Sequence, residues 1–375
     1  MTIQRGVSLY SYQQSQFFGR LGLEDQIREV ATNLDGADGL ELVDEMSLHY
    51  PDPGKTFVTQ WFRWMDEYRT RPVALDVGMD VLQFRDHVMS YQECADRLIH
   101  DIRLAKSMGF SIVRTLSVVP TEIIEMALPY AEELDIKVGK EIHQPMRLEG
   151  PQVAEILDLA ERVGSEHVGI VPDLGIFQFR PSEVQLAWFG RKGAQQDARD
   201  AAVELSLALR NSTGPFPVDA LKEHTAGNLR GAFSTFLRSG AAEGDLMDIF
   251  QATKMWANAR VGNPQAIDYS VTAEALLFSH TSTETLRELL PRIIHIHGKF
   301  NNMSPVPGEA GRFQETTIDY PSVIAALKDG DYDGYIDTEY EGQRYFQDRG
   351  IQDLEDEVEQ VRRHQEMLKR LIEAS

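Results

Sequence analysis

Acidic and histidine side chains fall at the ends of four apolar segments in the second half of the chain. Glu141 lies in KEIHQP, Asp173 in VPDLG, His297 in HIHGKF and Glu339 in DTEYEG. Burying a carboxylate or an imidazole among apolar residues is costly unless the group has a partner or a task. Two glutamates, an aspartate and a histidine suit a divalent cation such as Mn²⁺, Mg²⁺, Co²⁺ or Zn²⁺. Because three clustered carboxylates would repel one another, the pattern favours a metal site over a bare acid–base pair.

Each residue also has a purely structural interpretation. A single glutamate on a strand is usually half exposed or paired with a cation. Asp173 is followed by Leu-Gly, so it could cap a turn or a helix. His295 lies two residues before His297, one pleat deeper in the same segment, where a buried histidine bonded to the backbone is an equally good interpretation.

The elements that must position these residues alternate along the chain. Short apolar, β-branched runs are separated by amphipathic segments, and Tyr91–Met108, which stops at Gly109, is a clear helix. Nearly continuous apolarity suits strands of a parallel sheet covered on both faces. The predicted strands are Gly6–Tyr12, Gly39–Val43, Val73–Gly78, Ile112–Ser117, Lys137–His143, Val168–Asp173, Arg292–His297 and Tyr335–Tyr340.

Eight strand–helix repeats predict the α/β class and a (β/α)₈ TIM barrel, whose carboxyl strand ends converge on one face. An open doubly wound sheet is the alternative, weakened because no GxGxxG or phosphate-loop sequence follows the first strand. Residues 174–291 separate strands six and seven, and one helix does not fill that length. We predict a single domain, 1–375, with a helical insertion at about 180–290 over the barrel mouth as a lid, a substrate wall or an interface.

Composition narrows the function classes. Lys and Arg number 37 against 59 Asp and Glu, giving a formal net charge of −22, which opposes nucleic-acid binding. The one cysteine, Cys94, allows no internal disulfide and no cysteine-based zinc site. The first residues carry no basic and apolar leader, and no apolar run is long enough for a membrane span. We therefore expect a cytoplasmic protein without membrane contact.

In this order on strands five to eight, the Glu, Asp, His and Glu motifs resemble those of the xylose-isomerase-like barrels, a superfamily of sugar isomerases, ketose 3-epimerases and the endonuclease IV group. The resemblance covers nearly the whole chain. It implies that Glu141, Asp173, His297 and Glu339 hold one divalent metal ion, commonly Mn²⁺.

Within that superfamily, KEIHQP, HIHGKF, TEYEG and the long insertion after VPDLGIFQFRP are most similar to the α subunits of bacterial C-glycoside deglycosidases. The resemblance implies a heteromer with a small β subunit. It also implies cleavage of the carbon–carbon bond between a sugar and an aromatic, flavonoid-type aglycone, after a separate oxidoreductase has made the 3-keto sugar.

For such a lyase, His143 is the candidate base, because it lies two residues after Glu141 and shares its face of the strand end. A contact to a substrate hydroxyl is its alternative role. Lys299 is a candidate to hold the keto oxygen, or merely pairs with a carboxylate. The remaining candidate substrate-binding residues are His295, Arg114 and Glu41.

Three alternative functions differ in how well the residues fit them. A free-sugar isomerase or ketose 3-epimerase would use the same metal, with Glu141 and Glu339 as the proton-shuttling pair. His143 and the size of the insertion disfavour it. Endonuclease IV needs more histidines and a DNA-binding surface. A barrel kept only as a scaffold would have no reason to retain the buried carboxylates.

Overall fold

A computed structural model of the chain describes residues 3–224 and 229–374. Within these residues, eight parallel strands form one sheet in the order β6-β5-β4-β3-β2-β1-β8-β7. The strands are β1 (Gln4–Ser8), β2 (Gly39–Val43), β3 (Arg71–Val77), β4 (Ile112–Thr115), β5 (Lys137–Ile142), β6 (Val168–Pro172), β7 (Ile296–Phe300) and β8 (Tyr335–Tyr340).

The sheet closes on itself between β6 and β7. Parallel bridges join Ile170 to Ile293 and Asp173 to His297, and the Ile294 amide donates to the Ile170 carbonyl at 3.0 Å. The predicted (β/α)₈ barrel is therefore confirmed, and the open doubly wound sheet is wrong. We call this junction the β6–β7 seam.

Helices alternate with the strands. In α5, Ser90 caps the first turn with Glu93 as its reciprocal partner, and Gly109 ends the helix with φ 82°. The helices are α1 (Gln13–Phe17), α2 (Leu23–Asn33), α3 (Asp44–Ser47), α4 (Gly54–Tyr68), α5 (Tyr91–Met108), α6 (Thr121–Leu134), α7 (Pro151–Val163), α8 (Glu183–Arg191), α9 (Gln196–Arg210), α10 (Leu229–Ser239), α11 (Leu246–Asn258), α12 (Ala266–Thr272), α13 (Thr283–Leu289), α14 (Tyr320–Asp329) and α15 (Glu357–Glu373).

Six strands differ from their predicted bounds, two of them by four residues at one end. The first ends at Ser8, because Leu9–Tyr12 turns into a 3₁₀ helix. There the Ser11 hydroxyl donates to the Thr338 carbonyl and accepts from the Tyr340 amide of β8. The seventh begins at Ile296 rather than at Arg292, which ends a short 3₁₀ helix. His297 consequently lies near the start of β7, not at its end.

Helices α8 to α13 lie between β6 and β7. Helix α13 packs against α14, as barrel helices do. Helices α10 and α11 share an apolar cluster of their own, centred on Phe233, Phe236 and Phe250. The division into one domain and an insertion at about 180–290 stays a prediction. Across the described residues, no helix has both the length and the apolarity that crossing a membrane requires.

Candidate active site

The four predicted ligands converge inside the barrel. Glu141, Asp173, His297 and Glu339 are buried, and each offers one ligand atom within 4.8 Å of the others. Nδ1 of His297 lies 3.3 Å from Oε1 of Glu141 and 3.6 Å from Oε2 of Glu339. We call these four residues the ligand cluster.

Strand register explains the convergence. His297 pairs with Asp337 across β7 and β8, and Glu339 follows two residues later on the same face of β8. Asp173 is the first residue after β6. Its Oδ1 accepts from the Gly175 amide at 2.6 Å, which caps a short 3₁₀ helix, while Oδ2 lies 2.9 Å from Nζ of Lys299. Asp173 therefore both caps the 3₁₀ helix and belongs to the ligand cluster.

Lys299 lies against the carboxylates. Its Nζ is 2.9 Å from Asp173, 2.7 Å from Glu341 and 3.4 Å from Glu339. Burial opposes its charge, but Asp173 and Glu339 raise the pKa of Lys299 well above its usual value. Burial raises the pKa of Asp173 although Lys299 opposes that rise. Lys299 is thus a fixed cation at the edge of the cluster.

His143 lies above the cluster with a defined orientation. Nδ1 lies 2.6 Å from the Gln144 carbonyl, an acceptor, so Nδ1 carries the hydrogen. In the neutral ring, Nε2 is then the unprotonated nitrogen. It lies 3.4 Å from Nζ of Lys299 and 3.9 Å from Oδ2 of Asp173. The basic nitrogen therefore faces the cluster.

A second layer of polar residues lies deeper in the barrel. Nε2 of His297 and Nε2 of His295 lie 3.0 Å and 2.9 Å from the same Glu41 oxygen, and His295 is 3.4 Å from Asp337. Glu41 and His295 are fully buried. Burial lowers the pKa of His295, but Asp337 and Glu41 together outweigh burial and raise this pKa to about 9. Burial opposes ionisation of Glu41, yet His297 and His295 hold its pKa well below the ordinary value.

Arg114 links this deeper layer to Glu141. Its guanidinium bonds to Asp76 and lies 3.8 Å from Oε2 of Glu141. Burial opposes ionisation of Glu141, but the Arg114 charge lowers the pKa of this carboxyl. Burial raises the pKa of Asp76 against the same arginine. The structure places Arg114, like His295 and Glu41, behind the ligand cluster, and substrate contact by these three residues stays a prediction.

A cavity of about 150 Å³ lies next to His143 and Lys299, and we call it the inner cavity. Its other walls come from the loop after β8 and from the segment between β6 and β7. They include Glu341, Arg344, Tyr345, Gln185, Arg230, Glu274, Leu277 and Phe278.

Four residues of the site and its surroundings were not predicted from the sequence. Asp76 in VALDVG and Asp337 in YIDTEY carried the same signal as the ligands, a charge inside an apolar strand. Arg230 and Glu274 had none, because they lie on helices far apart in sequence. They form a two-point ion pair at 2.8 and 2.7 Å.

Sequence comparison finds similar proteins along nearly the whole chain. The 3'-dehydrocarminate deglycosidase alpha subunit of a Microbacterium species is 28% identical over 340 residues, covering 90% of this chain and 88% of the relative. A C-glycoside deglycosidase alpha subunit of Arthrobacter globiformis is 28% identical over 343 residues, covering 90% and 84%. This chain is similar to C-glycoside deglycosidase alpha subunits. The resemblance carried by KEIHQP, HIHGKF and TEYEG is thereby confirmed.

A second alpha subunit from Arthrobacter globiformis is 25% identical over 374 residues, covering 99% of this chain and 93% of the relative. No family model matches the chain. Among solved structures, D-allulose 3-epimerase from Methylomonas sp. in complex with D-allulose is 12% identical with a TM-score of 0.49, covering 98% of this chain and 97% of that one. A sugar phosphate isomerase/epimerase from Parabacteroides distasonis is 10% identical with a TM-score of 0.47, covering 100% and 96%. The barrel assignment rests on this chain's own strand order and bridges.

Proposed function

We propose that this chain is the α subunit of a metal-dependent C-glycoside deglycosidase that acts on 3-keto C-glycosides with an aromatic, flavonoid-type aglycone. One observation carries the proposal. His143 lines the inner cavity, and its unprotonated nitrogen lies 3.9 Å from Oδ2 of Asp173, a member of the four-residue ligand cluster. The names of the relatives add support, because they describe deglycosidase alpha subunits.

The residues fit a divalent cation. Nδ1 of His297 is buried and has no hydrogen-bond partner among the described residues, and it faces Glu141 and Glu339. One nitrogen and three carboxylate oxygens suit Mn²⁺, our first choice, as well as Mg²⁺, Co²⁺ or Zn²⁺. When bound, such a cation would supply a Lewis acid that polarises the 3-keto oxygen of the sugar.

In the proposed reaction, Nε2 of His143 takes the proton from C2 of the 3-keto sugar, which becomes an enediolate. The electron pair of that C–H bond then forms the C1–C2 double bond, and the C1–aryl bond breaks. The aryl carbon keeps the electron pair of the broken C1–aryl bond and takes up a proton, which the imidazolium of His143 can return. The products are an unsaturated keto sugar and the free aglycone. The step is redox-neutral, so an oxidoreductase must have made the 3-keto group beforehand.

The neighbouring Lys299 side chain supports this chemistry. Lys299 holds a positive charge beside His143 and against Asp173 and Glu341. It lines the inner cavity, where it can donate to a sugar oxygen. A fixed donor that faces developing negative charge lowers the barrier without reorganisation during the reaction.

We further propose a heteromer with a smaller β subunit, since the relatives are named alpha subunits. The test is release of the aglycone from a flavone 3-keto C-glucoside with added Mn²⁺, by the chain alone and after co-expression with a small neighbouring reading frame. Release by either preparation supports the lyase, and a requirement for the second chain supports the heteromer. No release, together with interconversion of free ketoses, would assign the site to the isomerase–epimerase class instead.

A further inference from the structure

A second cavity, of about 400 Å³, adjoins the inner cavity, and we call it the outer cavity. Both cavities are lined by the same five residues, which form a shared wall. These are Gln185, Arg230, Glu274, Arg344 and Tyr345. Beyond the wall, the outer cavity is lined by Trp188, Phe189, Ile267 and Ala273.

The two cavities differ in size, and this difference suits the two parts of an aromatic glycoside, the sugar and the aglycone. The inner cavity measures about 150 Å³. Cavities that enclose drug-sized ligands begin at about 300 Å³. A multi-ring aglycone therefore has no room beside His143 and Lys299, whereas the outer cavity lies in the range that such a molecule needs.

The outer cavity has the chemistry of an aromatic site. The rings of Trp188 and Tyr345 lie 6.4 Å apart at 62°, and Phe189 meets Trp188 edge-on at 4.9 Å. Such rings present faces and edges that bind planar aromatic molecules. The shared wall adds two guanidinium groups, of which Arg230 is held by Glu274 and Arg344 is held by Glu341. If an aromatic ring lies at this wall, its hydroxyl oxygens can accept hydrogen bonds from these two guanidinium groups.

We propose that the outer cavity binds the aromatic aglycone while the inner cavity holds the sugar, with the shared wall flanking the bond between them. This inference rests on the proposed function. It assigns the choice of aglycone to Trp188, Phe189 and Tyr345, and the recognition of phenolic oxygens to Arg230 and Arg344.

The test measures binding and turnover separately. Binding of the free flavone apigenin is measured by calorimetry in the wild type and in Trp188→Ala, Trp188→Phe and Ser234→Phe. Ser234→Phe fills the outer cavity from α10 without removing a packing side chain. Trp256→Ala is the matched control, because Trp256 lies on α11, bonded to the Ala201 carbonyl, and does not line either cavity.

We expect Trp188→Ala and Ser234→Phe to weaken apigenin binding about tenfold or more, with Trp188→Phe and Trp256→Ala near the wild type. With 3-keto C-glucosides, Trp188→Ala should raise KM for a flavone substrate and leave kcat nearly unchanged, with a smaller effect for a single-ring aglycone. Absent apigenin binding, or binding that is unchanged in both Trp188→Ala and Ser234→Phe, overturns the inference. If the wild type binds apigenin through Trp188 but releases no aglycone, the outer cavity stands and the lyase proposal fails.

Discussion

One oxygen of the Glu41 carboxylate lies 3.0 Å from Nε2 of His297, and this contact turns Nδ1 of the same ring toward Glu141 and Glu339. Because a carboxylate oxygen only accepts, Nε2 must carry the hydrogen. Partners of this kind fix the orientation of a metal-binding histidine and raise its basicity. Glu41 was predicted to contact the sugar, whereas its position fits the support of His297.

Replacing Glu41 tests that support. Glu41→Gln keeps the shape but removes the charge that two histidines share, so we expect Mn²⁺ affinity to fall about 10- to 100-fold. Titration calorimetry on metal-stripped protein gives the affinity. Glu125→Gln, at an exposed ion pair with Arg162, is the control and should bind Mn²⁺ like the wild type. Equal affinity in Glu41→Gln would remove the positioning role.

Removing a ligand should be more severe than removing its support. Glu141→Gln or His297→Ala should leave a folded barrel that retains no stoichiometric metal and has no turnover, because the three other ligands hold the ion too weakly. Metal content by elemental analysis, beside circular dichroism for the fold, checks this. A variant that keeps both its metal and its turnover would contradict the assignment of the ligand cluster.

His143 should be separable from the metal. His143→Ala is expected to bind Mn²⁺ normally and to lose about 10²- to 10⁴-fold in kcat, the range that a general base contributes. His167→Ala is the matched control, since His167 pairs with an exposed aspartate, Asp135, outside the inner cavity. If kcat is normal in His143→Ala, the base role returns to Glu141 or Glu339.

Glu315 should make stability depend on pH. Its carboxylate accepts from Thr317 and Ile318, but burial outweighs these bonds and raises its pKa from 4.5 to about 7. The folded state therefore binds the proton more tightly, and this stabilisation is complete below pH 4.5 and lost as the pH rises through 7.

In Glu315→Gln the dependence should disappear. Its free energy of unfolding relative to the wild type should rise across that pH window by on the order of 3 kcal/mol. Denaturant titrations at both ends of the window measure the difference. A constant difference would mean that Glu315 titrates near its ordinary value in the folded protein.

The β6–β7 seam should be sensitive to one methyl group. A Cβ on Gly169 would lie 2.3 Å from the Arg292 carbonyl, so Gly169→Ala must push the two segments apart. We expect a loss of about 1–3 kcal/mol in the free energy of unfolding. Gly262→Ala, where a Cβ meets nothing within 4 Å, is the control. A seam that accepts the Gly169 change without loss would be looser than its bridges indicate.

Much of the fold was readable because strands buried on both faces carry continuous apolar runs. Gly39–Val43 and Tyr335–Tyr340 have their predicted bounds. The predicted first strand began two residues late and ended four residues late. Its end was missed because the hydroxyl of Ser11, which ties Leu9–Tyr12 to β8, acts through a contact distant in sequence.

Part of the candidate site could be predicted because charged residues stand out within continuous apolar strands. Charges within apolar strands marked Glu141 and Glu339, and the two-residue spacing placed His295 one pleat deeper than His297. Alternation could not tell that Glu41, on another strand, lies in the same deeper layer. The outer cavity could not be predicted from the sequence. Trp188 and Tyr345 belong to a helix and a loop whose approach depends on the packing of the whole segment between β6 and β7.

The long excursion between β6 and β7 adds little to the entropy lost when the chain closes. Lys299 and Asp173 are bonded across 126 positions of sequence. Compared with a minimal strand–helix–strand unit of roughly 30 residues, that is about two doublings of loop length, or roughly 1 kcal/mol. Evolution can therefore lengthen, shorten or rebuild the walls over the barrel mouth while the residues proposed to carry the chemistry stay where they are.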